Sequence, residues 1–145
     1  MAEYHTRLEK GHMEGNKGVG RYVFIPGSPE RATAIAEYFW DRQKIRGTRG
    51  HDTYLGKLKF YGADKALEID VAAVHTGMGC PTTNIILGEL INVGARRFIR
   101  VGTAGSLSEI ITGDIFIVRC AYRDEGTSVK YMPLEYPARA HPDVV

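Results

Sequence analysis

RYVFIPGSPERATAIAEYFW, residues 21–40, runs from an apolar stretch through a glycine turn into a helical pattern. Residues 21–27 read as a buried strand. Ser28 is placed to cap a helix whose first position is Pro29, a residue that needs no amide hydrogen there. Ala32, Ile35, Ala36 and Phe39 then recur at helical spacing, which turns one face of the segment inward. A strand that feeds a helix through a tight turn is the repeating unit of an α/β sheet.

The neighbouring segments extend that reading. DRQKIRGTRG (41–50) is a basic, glycine-punctuated connector, and DTYLGKLKFYG (52–62) alternates like a half-exposed strand that turns near Gly62. ALEIDVAAVHT (66–76) is a further strand ending in the GMGCP turn. Pro81 opens a helix expected to bury Ile85, Leu87, Leu90 and Ile91 and to close at Gly94. RRFIRVG (96–102) and DIFIVRCA (114–121) read as the last strands. This order predicts a single α/β domain over residues 1–145, with a mainly parallel or mixed central sheet flanked by helices. The final PARAHPDVV is a loop without closing signals, so the domain is expected to be the truncated N-terminal portion of a longer one.

Composition narrows the class. A hydrophobic share of 43% over 145 residues supports a folded core and argues against disorder. The net charge of +2, with Lys and Arg scattered among acids, shows no nucleic-acid footprint. Cys80 and Cys120 sit among small or apolar residues, as in a reduced protein. The polar N-terminus is no signal peptide, and no apolar run approaches membrane-spanning length. A soluble cytoplasmic protein, with neither nucleic-acid nor membrane partners, is expected.

Three glycine turns follow strands, at 26–31 (PGSPER), 76–81 (TGMGCP) and 102–106 (GTAGS). Taken singly, each could simply end its strand. Together, beyond the carboxyl ends of strands in an open α/β sheet, they mark a ligand crevice. The amide of Gly27 lies at a helix start, where the dipole favours anions, and Arg31 stands in the first turn, a poor place for a cation unless an anion joins it. Arg100 interrupts an apolar strand. A half-exposed sheet could accommodate it, but the strand reads as central and buried on both faces. A guanidinium beside the Thr103 hydroxyl and turn amides suits phosphate. The glycine spacings lack the dinucleotide fingerprint, which leaves a dinucleotide-binding domain a distant alternative. His5, His12, His51, His75 and His141 lack metal-ligand spacing and read mostly as surface or core residues. Cys80 reads as small-residue packing rather than a nucleophile.

HTRLEKG (5–11), IPGSPERATAIAEYF (25–39), RGHDTYLGKL (49–58), HTGMGCPTTNIILGEL (75–90), GARRFIRVGTAGSL (94–107), GDIFIV (113–118) and DEGTSVKYMPLEYPARAHPDVV (124–145) run in this order over nearly the whole chain. In this they resemble the nucleoside phosphorylase family of the uridine phosphorylase and hexameric purine nucleoside phosphorylase type. The resemblance implies a pentosyltransferase of nucleoside catabolism that cleaves a ribonucleoside with inorganic phosphate to free base and ribose 1-phosphate. It implies phosphate binding by Gly27, Arg31, Arg49, Arg100 and Thr103, with Arg100 and Thr103 catalytic. His5, Thr103 and Gly105 are then the nucleoside-binding residues. His5 and Arg49 would serve a neighbouring subunit, hence a homo-oligomer built from dimers, up to a hexamer. The Thr103-Ala104 pair leans toward uridine. Gly50 stands where such uridine enzymes often carry an acid linked to a metal, so no metal and no cofactor beyond phosphate are expected. The family's ribose- and base-recognition segments lie beyond this chain. The alternatives are a purine nucleoside phosphorylase, a related nucleosidase, and a truncated inactive subunit that only binds phosphate.

Overall fold

The computed structural model describes residues 1–62, 65–107, 109 and 111–144, which divide into two compact units, Met1–Gly102 and Thr103–Val145. The first unit holds strands β1 (Tyr22–Phe24), β2 (Trp40–Ile45), β3 (Thr53–Tyr61), β4 (Ala66–Val74) and β5 (Arg97–Ile99), with helices α1 (Pro29–Ala36) and α2 (Cys80–Asn92). The strands form one sheet in the order β2-β3-β4-β1-β5. β3 pairs antiparallel with β2 and β4, whereas β1 runs parallel to β4 and β5, so the sheet is mixed.

The period-2 pleat of β4 sorts the core into two layers. Ala72 and Val74 join Val23, Ile25 and Leu55 against Ile86, Leu90 and Val93 of α2, with Leu8 and Met13 from the N-terminal segment. Val71 and Ala73 face the other way, onto Ala32 and Ala36 of α1 together with Phe39 and Tyr54. Each large apolar side chain so buried contributes about 1.5–3 kcal/mol. Gly56 allows the close approach on that second face, because a Cβ there would stand 2.7 Å from the Phe39 Cβ.

The helix ends follow their capping residues. Ser28 Oγ accepts the Arg31 amide at 3.3 Å, with Pro29 at the first helical position. Gly94, at φ 101°, closes α2, its amide reaching the Ile91 carbonyl and that of Ala95 reaching Leu90.

Four expectations need correction. Half of the segment 41–50 is strand rather than connector, since residues 41–45 belong to β2; all of these but Ile45 are exposed, so pairing with β3 and not burial holds them in place. The inward stripe of α2 is rotated, with Ile86, Glu89 and Leu90 buried and Ile85 and Ile91 about half exposed, at 47% and 50%. Arg100 lies just past β5, and β5 is an edge of the described sheet, so Arg100 is exposed rather than enclosed. Of the strand expected at 114–121, only β6 (Cys120–Ala121) forms, paired antiparallel with β7 (Ala138–Arg139) in the second unit. Ile115, Phe116, Ile117 and Val118 are exposed and have no strand partner among the described residues, and a segment without a ladder partner is not held as a strand.

Candidate functional site

Two of the glycine turns are fastened to each other at the carboxyl ends of β1 and β4. The Thr76 amide donates to the Pro26 carbonyl at 2.9 Å, and the Ile25 amide donates to the Ile99 carbonyl at 2.9 Å. This places Gly27, Gly77 and Arg100 together. The Arg100 guanidinium is braced through Nη1, which donates to the carbonyls of Ile25 at 3.0 Å and Val101 at 2.8 Å. Its Nη2 stands 3.2 Å from the point a Cβ on Gly27 would occupy, and the Gly77 carbonyl oxygen is 3.8 Å from that point. Any side chain at 27 would therefore press on the guanidinium. Among the described residues, Arg100 Nε and Nη2 have no hydrogen-bond partner. An arginine fixed at one end and open at the other, beside a glycine, is a receptor for an anionic oxygen.

The start of α1 adds to this. Glu30, exposed in the first turn, has its carboxyl held below the usual range by its own backbone amide and by Ser28, as the positive helix end favours. Arg31 is half-buried, and among the described residues its guanidinium has no partner.

Arg49 occupies the short helical turn Thr48–Gly50 with left-handed backbone at φ 53°, and is exposed. His5 is half-buried and tied to α2: its Nδ1 lies 2.7 Å from Glu89 Oε1, which also accepts the His5 amide at 2.8 Å. Glu89 Oε2 accepts the Thr6 amide at 2.8 Å and the Thr6 hydroxyl at 2.9 Å. Burial alone would raise the Glu89 carboxyl, but these bonds hold it below the ordinary glutamate value. Thr103 and Gly105 belong to the second unit, where both are exposed. The first unit thus brings Gly27 and Arg100 together, with Arg31 on the helix that follows.

Three residues are missed by sequence reasoning. Glu89 is an acid at 8% exposure on the apolar face of α2, and its place between buried helical positions was the available signal. His51 and His75 are both buried, with rings stacked at 4.5 Å and 16°. Burial lowers the His51 imidazole below its ordinary value. Cys80 and Cys120 are both exposed, and among the described residues no cluster of three or more His, Cys, Asp or Glu could hold a metal ion. No described helix is long and apolar enough to cross a membrane.

The sequence model of the phosphorylase superfamily matches residues 21–145. The chain is 39% identical over 137 residues to uridine phosphorylase of Treponema pallidum (strain Nichols), covering 94% of this chain and 48% of that protein. It is 36% identical over 143 residues to uridine phosphorylase of Thermococcus kodakarensis, covering 98% and 47%. Guanosine phosphorylase of Halorubrum lacusprofundi is 33% identical over 135 residues, covering 92% and 50%. The chain spans about half the length of the curated relatives it matches.

Proposed function

The chain belongs to the phosphorylase superfamily, and we propose that it supplies the phosphate-binding half of a nucleoside phosphorylase acting on uridine. One observation carries the reading: the Arg100 guanidinium, anchored on two carbonyls and open toward the gap that Gly27 leaves. In this reading Gly27, Arg31, Arg100 and Thr103 hold phosphate, and Arg49 and His5 reach into a second copy, His5 toward the ribose 5′-hydroxyl. Thr103 and Gly105 line the sugar and base. Inorganic phosphate is the co-substrate, with no metal or further cofactor. The protein is a cytoplasmic homo-oligomer built from dimers.

The chemistry follows from charge. As the glycosidic C–N bond lengthens, its electron pair leaves with the base and the sugar becomes oxocarbenium-like. A phosphate oxygen held beneath the anomeric carbon stabilises that cation and then closes the new C–O bond. The arginines position the nucleophile and disperse its charge, and positioning of this kind is worth about 7–11 kcal/mol in the best cases. A nucleosidase would use water, and water needs no open guanidinium. The preference for uridine rests on the relatives named uridine phosphorylase, and guanosine phosphorylase is the specific competitor. The test is release of free base by the protein carrying this chain. Uracil from uridine is expected only with phosphate present and faster than guanine from guanosine. Phosphate-independent release would make it a nucleosidase, and faster guanine release would overturn the uridine preference.

A further inference from the structure

We propose that His75, with His51, positions Arg49, through a reciprocal brace that fixes the Thr48–Gly50 turn onto the end of β4; the inference rests on the reading of Arg49 as a phosphate ligand. The brace has two arms. His75 Nε2 lies 2.9 Å from the Gly50 carbonyl oxygen, and His51 Nδ1 lies 3.2 Å from the His75 carbonyl oxygen. A carbonyl only accepts, so each ring must carry its proton on the nitrogen that makes the bond. The two rings stack between these contacts.

Arg49 has reason to need such support. Its backbone is left-handed and Gly50 follows at φ 79°, a conformation that non-glycine residues seldom hold unaided. Its side chain has no partner among the described residues, so its direction depends on the turn beneath it. On the other flank the Thr48 amide donates to the His5 carbonyl at 2.7 Å, which links the turn to the N-terminal segment as well. An apolar side chain at 75 would still fill space against His51. What it would lack is the bond to Gly50, the residue next to Arg49. His75 Nδ1 is buried and has no partner among the described residues, a cost that packing alone does not explain. The charged or titratable groups around the stack are His5 from the N-terminal segment, Glu89 from α2 and Glu30 from α1.

The test is calorimetric binding of inorganic phosphate, at a concentration where light scattering shows the chain associated. The variants are Arg49→Ala, His75→Leu, the pair combined, and His75→Gln, whose amide can still reach the Gly50 carbonyl. The expected result is that His75→Leu weakens phosphate by the same factor as Arg49→Ala, and the double variant by no more than either. His75→Gln should stay within about twofold of the unaltered chain. If His75→Leu does not fold, His75→Asn takes its place, being polar but too short for Gly50. A loss in Arg49→Ala alone, additive losses in the double variant, or a His75→Gln loss matching His75→Leu would overturn the inference while leaving the role of Arg49 intact. No loss in Arg49→Ala, or no association, would instead refute the reading of Arg49, and the inference with it.

Discussion

The two compact units of this chain treat similar apolar material differently. In Met1–Gly102, the alternating residues of β4 find α1 on one side and α2 on the other, and Val71, Ala72, Ala73 and Val74 are all buried. In Thr103–Val145, Ile115, Phe116, Ile117 and Val118 form an equally apolar run, yet all four are exposed. The difference is one of neighbours rather than of composition. An apolar strand becomes core only when a ladder and a packed layer meet it.

The sharpest way to break this contrast is to remove a side chain from each unit. Leu90→Ala in α2 should cost about 2–5 kcal/mol, as a buried cavity does. Ile117→Ala should change stability by less than about 0.5 kcal/mol, as exposed substitutions do. Urea unfolding measures both, and equal losses would mean that the run at 115–118 is core.

A polar version of the contrast is next in size. Glu89→Ala leaves the amides of His5 and Thr6 and the Thr6 hydroxyl without their acceptor, with an expected loss of about 1–3 kcal/mol. Its pH dependence has a definite sign. The Glu89 carboxyl is held low in the fold, so the unfolded chain takes up the proton first and stability falls as pH drops below about 4.3. The His51 imidazole is also lowered, so the unfolded chain is the first to protonate below about 6.5, and stability falls there too. Thermal melting between pH 7 and pH 3 should show both steps. Asp52, Glu30 and Glu68 are also held low, so Glu89→Gln should shrink the lower step rather than abolish it and should keep the upper, and an unchanged lower step would contradict the assignment.

The smallest effect concerns the cap that opens α1 beside the site. Ser28→Ala removes the acceptor of the Arg31 amide and should cost about 1 kcal/mol. A chemical denaturation curve that does not move would show that Pro29 alone starts the helix.

What could be read in the sequence follows the reach of its causes. Ser28, Pro29, Gly94 and the apolar residues of β3 and β4 between glycine turns act within a few residues, so the helix starts, the closing turn and these strands were legible. β2 was not, because its exposed basic residues are placed by a ladder to β3 rather than by an apolar face of their own. Arg100 and Gly27 were legible as partners in one site, and β5 lying parallel to β1 brings them together, but the anchoring of Arg100 on the Ile25 and Val101 carbonyls was not legible. Glu89 and the histidine pair escaped because their partners lie far away in the chain: 84 residues from Glu89 to His5 and 25 from His75 to Gly50.

The measurement that bears most directly on the central claim is a phosphate titration of the unaltered chain against Arg100→Ala. Hydrogen bonds to a charged group are worth about 1.5–3 kcal/mol, roughly a ten- to hundredfold change in affinity. The account predicts phosphate binding that weakens by such a factor in Arg100→Ala, while the urea midpoint stays close to that of the unaltered chain. Equal phosphate affinity in the two proteins would contradict it.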